Sequence, residues 1–536
     1  MPQWWIANSA VSNVSRLCSN QLAQEPHRSG DGHPPLGSWL VLFPKLGYRL
    51  CKVLRSDVSV VEVTTSRPAW WRAWIAPLVI AAASTSVLYL AIRVFRSANK
   101  GALPEGYRIQ DWSSNWMMQT LGLEEMIPFG PAAFWYSHVY PPLEDMIRYV
   151  FTFPETSVGE AVSPMAVDFR LYALYAVLYG LTNALLYVWV RSLTRNGWVA
   201  LAVTVVWAIH PGYITIMTLL ESSPLAMFTI SLSLFFLYMF LRYRNLAWST
   251  AFLAALLLAS LARTVTQPHV LAILFVAVIS FWFISHQRKW WLLALNILLV
   301  ALLCAIPVKM KILYDTWDVT TYGGYHRVGA LWIDPRTVAE PVYPQKIVDN
   351  ALAFSSRYNT QEQVKDNYRL GAAAGEFLVQ NPVESVGRLA KSLAITVPEI
   401  LRPSSKYTQN YFVEKLPWRD AWDWLFSGWP YLIMISAAAI GIGWSRGWRG
   451  VGRLFIKYGW FAVFYGLLAL PILFSNRYRP GEEDAGPIWT DAIRQKVFVE
   501  MPIWALVGYA SWLGISRLRR NKQSKFSGSQ SLNSAR

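Results

Sequence analysis

The chain has 536 residues, of which 54% are hydrophobic and only 15% are charged, and its formal net charge is +17. Soluble domains carry about 25% charged residues, and a soluble core could not hide this much apolar surface. The bases form short clusters between apolar runs instead of one basic domain, which argues against a nucleic-acid-binding protein. The three cysteines, Cys18, Cys51 and Cys304, are too scattered for a disulfide framework or a metal knuckle.

Apolar runs recur along the chain at lengths that suit a membrane span, which takes about 20 residues. The first runs from Trp74 to Phe95. Nine more follow at about 169–190, 197–216, 224–241, 246–262, 269–285, 290–308, 429–444, 454–474 and 498–516. The predicted fold class is therefore an all-α polytopic membrane protein with about ten transmembrane helices.

Lys and Arg in short connections mark the cytoplasmic side of a membrane protein. Five basic clusters fall on alternate sides of successive spans and hence on one face: Arg191 with Arg195, Arg242 with Arg244, Arg288 with Lys289, Arg446 with Arg449 and Arg453, and Arg517 with Arg519 and Arg520. With that face cytoplasmic, both termini are inside and the two longest loops are outside.

The same pattern divides the chain into regions. We predict a partly disordered cytoplasmic extension at 1–72, a transmembrane core at 73–308 that includes a first outer loop at 96–168, a second large outer loop at 309–428, further spans at 429–516 and a disordered cytoplasmic tail at 517–536. Short interfacial helices are expected inside the two outer loops. The tail is rich in Ser, Asn and Gln, which is typical of disorder.

Three ionisable residues stand at the predicted outer ends of spans: His210, Glu221 and Arg263. Such groups are costly beside a bilayer and are therefore candidates for binding a substrate. A snorkelling Arg or a capping Glu is the alternative interpretation for this position. On the predicted topology all three face the compartment of the outer loops.

The first outer loop contains Asp111, which opens an aromatic and apolar segment. A carboxylate at the lip of a lipid-facing groove can act as a general base toward a hydroxyl, although an Asp before a helix also serves as an N-cap. Glu124 lies further along, beside Glu125, and Tyr140 opens a Tyr-Pro-Pro-Leu element.

In the second outer loop, Tyr325 and Arg327 belong to the segment Tyr-Gly-Gly-Tyr-His-Arg. Aromatic rings beside glycines suit stacking on a sugar ring, and they also suit a tight turn. His138, Glu144 and Asp145 do not have the spacing of a closed metal-ligand set. We therefore predict no metal and no cofactor from the residues alone.

In order and content, these features resemble the integral-membrane glycosyltransferases of the C superfold (GT-C). The most similar group is the bacterial Rgt-like and aminoarabinose-transferase-like relatives of the family 39 protein mannosyltransferases. The resemblance covers about residues 74–516. It rests on the outer loop with its acid and Pro-Pro-Leu element, on Arg170-Leu171, on the Glu221-Ser222-Ser223-Pro224 turn, on Leu261-Ala262-Arg263 and on Arg477-Tyr478-Arg479.

The resemblance implies a glycosyltransferase at the outer face of the bacterial inner membrane. Its donor would be a sugar on polyprenyl phosphate, and its acceptor a glycan, lipid or protein of the envelope.

Asp111 would be the catalytic base, with Glu124 and Glu125 as competing acids. Arg263, Arg327, Arg477 and Arg479 would stabilise the departing phosphate, although the last two also suit interfacial anchors. One related group uses a divalent cation, which the acids of the first loop could hold.

Two other functions are compatible with the same pattern. A transporter or flippase for polyprenyl-linked glycans would use the basic rim but need no base in an outer loop. A non-catalytic scaffold of an envelope-assembly complex would need neither. The glycosyltransferase is the leading prediction.

Overall fold

The computed structural model describes residues 72–99, 109, 113–117, 120–263, 290–353, 357, 359–406, 410–474, 476–477, 489–490 and 492–533. Nearly all of these residues are helical. The predicted extension at 1–72 is described only at its last residue, and the predicted span at 269–285 lies outside the described residues.

The α-helices are, in chain order, α1 Arg72–Ala98, α2 Leu123–Phe129, α3 Pro131–Tyr136, α4 Leu143–Phe151, α5 Phe153–Thr156, α6 Pro164–Thr194, α7 Gly197–Ala208, α8 Pro211–Met217, α9 Ser223–Tyr243, α10 Leu246–Ala262, α11 Trp290–Tyr314, α12 Gly323–Ala330, α13 Gln345–Ala353, α14 Gln361–Gln380, α15 Pro382–Ile400, α16 Tyr411–Glu414, α17 Arg419–Leu425, α18 Gly428–Leu473 and α19 Ala492–Asn533. Short 3-10 turns cover Ser114–Trp116, Pro335–Thr337 and Ser404–Lys406. Two two-residue strands, β1 Asn476–Arg477 and β2 Trp489–Thr490, pair antiparallel.

Six of the described helical segments are long and apolar enough to cross a membrane: Trp74–Ala98, Pro164–Thr194, Ser223–Tyr243, Trp290–Tyr314, Gly428–Gly447 and Arg494–Arg519. A seventh span arises if α7 and α8, which are bent by 67°, count as one. Leu246–Ala262 and Tyr458–Leu473 are apolar but shorter. The all-helical, multi-span character is confirmed for the described residues, and the count of ten stays a prediction.

α9 lies at the centre of the bundle and buries most of its side chains, whereas α1 exposes large apolar residues such as Leu78 and Val87. Apolar side chains that face outward from long helices are suited to contact with lipid rather than with water. The chain therefore presents the surface of a multi-pass membrane protein.

Basic clusters from different spans meet at one end of the bundle, which we call the basic end. Arg242 Nη1 donates to the carbonyl oxygen of Ser192 at 2.6 Å, which joins the last turns of α9 and α6. Arg446 donates to the Tyr509 hydroxyl, and Arg517 donates to the carbonyl of Trp444. Spans whose last turns meet in this way run parallel, as the alternating pattern of bases predicts.

The opposite end carries both large loops, and we call it the loop end. Asn359 Oδ1 accepts from the backbone amides of His138 and Val139 at 2.9 and 3.1 Å and so ties the second loop to the first. Lys496, in the first turns of α19, donates to the carbonyls of Ile400 and Arg402 at 2.7 and 2.5 Å. The second loop is thereby fastened to the last span.

The structure differs from the sequence prediction at the C-terminus, where α19 continues as a helix to Asn533. Extending an existing helix costs far less than nucleating one, because each added residue gains a hydrogen bond. The polar composition after Arg520 indicated disorder because it was considered without the helical span that precedes it. The first loop contains the short helices α2 to α5, and their position at the membrane interface stays a prediction.

Candidate functional site

The loop end holds a buried cluster of charges around Glu221. Arg494 Nη1 lies 2.6 Å from Glu221 Oε1 and 2.8 Å from Oε2, and Arg263 Nη1 lies 3.5 Å from Oε1. The three side chains are at most 4% exposed. The Ser223 hydroxyl also donates to the Glu221 carboxylate. Two guanidinium groups therefore share one carboxylate away from water.

Each member of this cluster stands at the end of a helix. Glu221 precedes α9, whose start is fixed by Ser223 and Pro224, and proline is favoured in a first turn because it needs no amide partner there. Arg263 follows α10 in an extended backbone conformation. Arg494 lies in the first turn of α19. Three helices thus bring their loop-end termini together.

Glu144, on α4 of the first outer loop, reaches the same cluster through Tyr175. The Tyr175 hydroxyl lies 3.1 Å from Glu144 Oε1 and 3.1 Å from the main-chain oxygen of Glu221. Glu144 is 1% exposed, and its Oε2 has no hydrogen-bond partner among the described residues. Burial raises the pKa of Glu144 to about 8, with Arg148 opposing the shift. This carboxyl group therefore holds its proton at neutral pH.

A second buried ion pair holds α4 in place. Arg148 Nη1 lies 3.0 Å from Asp145 Oδ1 and donates to the carbonyl of Leu121 at 2.5 Å, while its Nε donates to the Ser114 hydroxyl at 3.1 Å. Burial raises the pKa of Asp145 to about 6. Asp168 Oδ1 accepts from the Ser114 amide at 3.0 Å. Arg148 and Asp168 thus tie α4 and α6 to the segment around Ser114.

Among the described residues, the cluster joins two guanidinium groups, of Arg263 and Arg494, to the single carboxylate of Glu221, while protonated Glu144 adds no charge. Guanidinium groups that are buried together pair well with anions, so this cluster suits an anionic ligand. Arginine pairs phosphate oxygens especially well because its donors form a planar fork.

Of the predicted residues whose side chains the structure describes, only Glu221 and Arg263 meet in this cluster. His210 is the N-cap of α8, where its Nδ1 accepts from the Tyr213 amide at 3.3 Å, and its ring packs against Trp207 and Phe426. This contact shows His210 in a capping role. Glu124 is exposed near the start of α2 and accepts from Asn115 at 3.2 Å.

Other predicted residues lie in the helical part of the second loop or against it. The Tyr325 hydroxyl donates to Asp366 at 2.6 Å, and Arg327 forms an ion pair with Asp318. The ring of Tyr140 packs on Tyr322, with centroids 5.7 Å apart. These contacts join Tyr325, Arg327 and Tyr140 to residues of the second outer loop.

The remaining predicted residues are described in part or not at all. Arg477 pairs its backbone with Trp489 in the small sheet, which lies beside α12. Asp111 and Arg479 lie outside the described residues. Their roles remain predictions.

The sequence analysis missed Arg494, Tyr175 and the joint contribution of Glu144 and Arg148. Arg494 carried a usable signal, because it is a base at the predicted outer end of the last span, where the positive-inside rule disfavours one. In the sequence, Glu144 stands out only as a possible metal ligand beside His138 and Asp145. No sequence pattern placed Tyr175 beside it.

Among the described residues, no group of three or more His, Cys, Asp or Glu side chains is arranged to hold a metal ion. Comparisons with protein families, with curated proteins and with solved structures find no match to this chain.

Proposed function

We propose that this protein is an integral-membrane glycosyltransferase. It would transfer a sugar from a polyprenyl-phosphate donor to a hydroxyl of a glycan, lipid or protein acceptor at the outer face of the bacterial inner membrane. The observation that carries the proposal is the convergence of two buried guanidinium groups, of Arg263 and Arg494, on Glu221 at the loop end of apolar spans. That position suits a ligand with a lipid tail and an anionic head.

In the proposed reaction, the acceptor oxygen forms a bond to the anomeric carbon, and the bond from that carbon to the phosphate oxygen breaks. The proton of the acceptor hydroxyl passes to a carboxylate, and polyprenyl phosphate leaves with the bonding electrons. Negative charge on the phosphate therefore grows during the step. Arg263 and Arg494 would stabilise that charge.

Asp111 is the proposed base, on the basis of the resemblance. Glu144 is the alternative candidate for the base. Its contact with the Glu221 cluster through Tyr175 supports this role. A pKa near 8 is close to physiological pH, as efficient proton transfer requires. The deprotonated fraction of Glu144 would then increase as the pH rises through 8.

Two variants test the proposal and separate the two acids. Membranes containing Asp111→Asn or Glu144→Gln are assayed for transfer of labelled sugar from endogenous polyprenyl-phosphate donors, with exposed Glu160→Gln as the matched control. We expect transfer to be lost, with donor binding retained, in the variant that lacks the base. Unchanged transfer in both variants would refute the assignment of the base.

The transporter alternative has its own readout. Proteoliposomes that contain a labelled lipid-linked sugar and no acceptor are sampled for movement of label between leaflets. The proposed transferase leaves the label where it is. Movement without an acceptor would replace the proposal with a flippase.

A further inference from the structure

Helix α15 carries an apolar stripe that faces away from the protein. Its members are spaced three or four residues apart and so share one side of the helix: Val383, Val386, Ala390, Ala394 and Val397. Val383 is 85% exposed and Val386 is 67% exposed. The neighbouring end of α14 adds Val379, which is 83% exposed. The stripe is therefore continuous with the turn between the two helices.

The opposite side of α15 is buried against the second outer loop. Ser385, Ser392 and Thr396 are at most 2% exposed, and Leu389 on the same side packs against the apolar cluster that includes Leu370. The Ser392 hydroxyl donates to the carbonyl of Ala330 at 2.6 Å and accepts from Trp332 Nε1 at 3.0 Å. A helix on the surface of a soluble domain turns polar and charged residues outward, whereas the outward stripe of α15 is apolar. The outward side of α15 is therefore suited to a non-aqueous environment.

The C-terminal end of α15 lies beside the starts of two membrane spans. The carbonyl of Leu401, directly after the helix, accepts from the Gly428 amide at 2.8 Å, and Gly428 is the first residue of α18. Lys496 of α19 holds the carbonyl of Ile400. The residue after Gly428, Trp429, is 76% exposed. The apolar stripe thus leads into the outward surface of a span.

We propose that α15 lies along the outer leaflet of the bilayer, with its apolar stripe in the boundary between headgroups and acyl chains. At about 1.5 Å per residue, its 19 residues would cover roughly 28 Å of that surface. The charged side chains Glu384 and Lys391 lie on a flank of the helix, away from the stripe. Lys391 Nζ stands 3.6 Å from the ring centroid of Trp332, an aromatic and basic pair of the kind found at headgroup level.

Spin labels test this placement without any assay of transfer. Single cysteines replace Val386 and Ala394 in a full-length chain whose three native cysteines are changed to alanine, and the labelled protein is reconstituted in phospholipid nanodiscs. Collision rates with oxygen, which concentrates in lipid, are compared with those for a water-soluble nickel chelate. Exposed Glu362, in the same outer loop, provides the water-facing control position.

At Val386 and Ala394 we expect several-fold more collisions with oxygen than with nickel, and the reverse at Glu362. Collisions with nickel at all three positions would overturn the proposal. Protection from both reagents, together with dipolar broadening between labels, would also overturn it and would identify a second copy of the chain as the occupant. The result is independent of whether the protein transfers a sugar.

Discussion

Glu144 illustrates how burial sets the state of one side chain. The single proton of the Tyr175 hydroxyl cannot be donated both to Glu144 and to the main-chain oxygen of Glu221. When Glu144 is protonated, its hydroxyl donates to the Tyr175 oxygen, and the Tyr175 hydroxyl donates to the main-chain oxygen of Glu221. Both contacts are then hydrogen bonds. The geometry and the raised pKa therefore agree that this carboxyl group is neutral below pH 8.

Glu144→Gln should change how stability depends on pH. Between the ordinary pKa of 4.5 and about 8, an unfolded chain loses the proton that folded Glu144 keeps, so the folded state loses stability as the pH rises through that window. The melting temperature in detergent should therefore fall less from pH 5 to pH 8 in Glu144→Gln than in wild type. Parallel pH profiles for the two proteins would contradict a raised pKa at this position.

Arg494→Lys should weaken binding of the proposed donor. Lysine keeps the charge but loses the planar fork, and a hydrogen bond between charged groups is worth about 1.5–3 kcal/mol. We expect the KM for a polyprenyl-phosphate sugar to rise about tenfold or more. The control is Arg517→Lys, an exposed arginine of the same helix, which should stay within about twofold of wild type. Equal effects of the two changes would argue against a role for Arg494 in binding.

At this scale, sequence reasoning identified Glu221 and Arg263, because a charge at the end of an apolar run is conspicuous. It did not identify Tyr175, since a tyrosine inside a span resembles many others there. The pairing of Arg494 with Glu221 joins residues 273 positions apart, and no local pattern encodes it. Asp111, the most important predicted residue, lies outside the described residues.

Helix α4 shows how a short element keeps its place in the first outer loop. Nine residues form too short a helix to be stable alone, so its position depends on tertiary contacts. Arg148 supplies several of them, to Asp145, Leu121 and Ser114, while fully buried. The position of Glu144 in the cluster therefore depends on Arg148.

Arg148→Ala should destabilise this loop strongly. Removing one partner of a buried ion pair typically costs about 3–5 kcal/mol, because a charge is left behind without its counterion. Arg170→Ala is the comparison, since its pair with Glu155 is open to solvent and should contribute much less to stability. Melting temperatures in detergent and rates of limited proteolysis measure both. A larger effect from Arg170→Ala would contradict this ranking.

The length of the apolar runs predicted where spans occur, but it did not predict whether each span is one straight helix. The run at 197–216 indicated one span, whereas α7 and α8 are separate helices bent by 67°. Pro211 lacks an amide hydrogen, and His210 caps the second helix, so the break has a local cause. The helical pattern of α15 could also be read from the sequence, but not that its valine stripe faces outward.

For the whole molecule, the two ends of the bundle carry different charged groups. Basic clusters of α6, α9, α18 and α19 meet at the basic end, and the Glu221 cluster with both large loops occupies the other. Alternating bases predicted this grouping from the sequence. Which end faces the cytoplasm follows from the positive-inside rule alone.

A topology reporter tests that orientation. A fusion after Arg520 should be active in the cytoplasm, and a fusion within 309–428 should be active outside. The physical reason is that lysine and arginine near span ends resist translocation. A fusion after Arg520 that is active outside would invert the assignment and remove the proposed site from the outer face.

Arg494 and Lys496 are two residues apart in a helix, so their side chains leave it in nearly opposite directions. Arg494 donates to the Glu221 carboxylate, and Lys496 donates to the main-chain carbonyls at the end of α15. A phosphate that draws Arg494 away from its carboxylate would therefore rotate or shift the same helical turn that holds the outer-loop helix. The first turns of α19 therefore join the charged cluster to the end of the outer-loop helix α15.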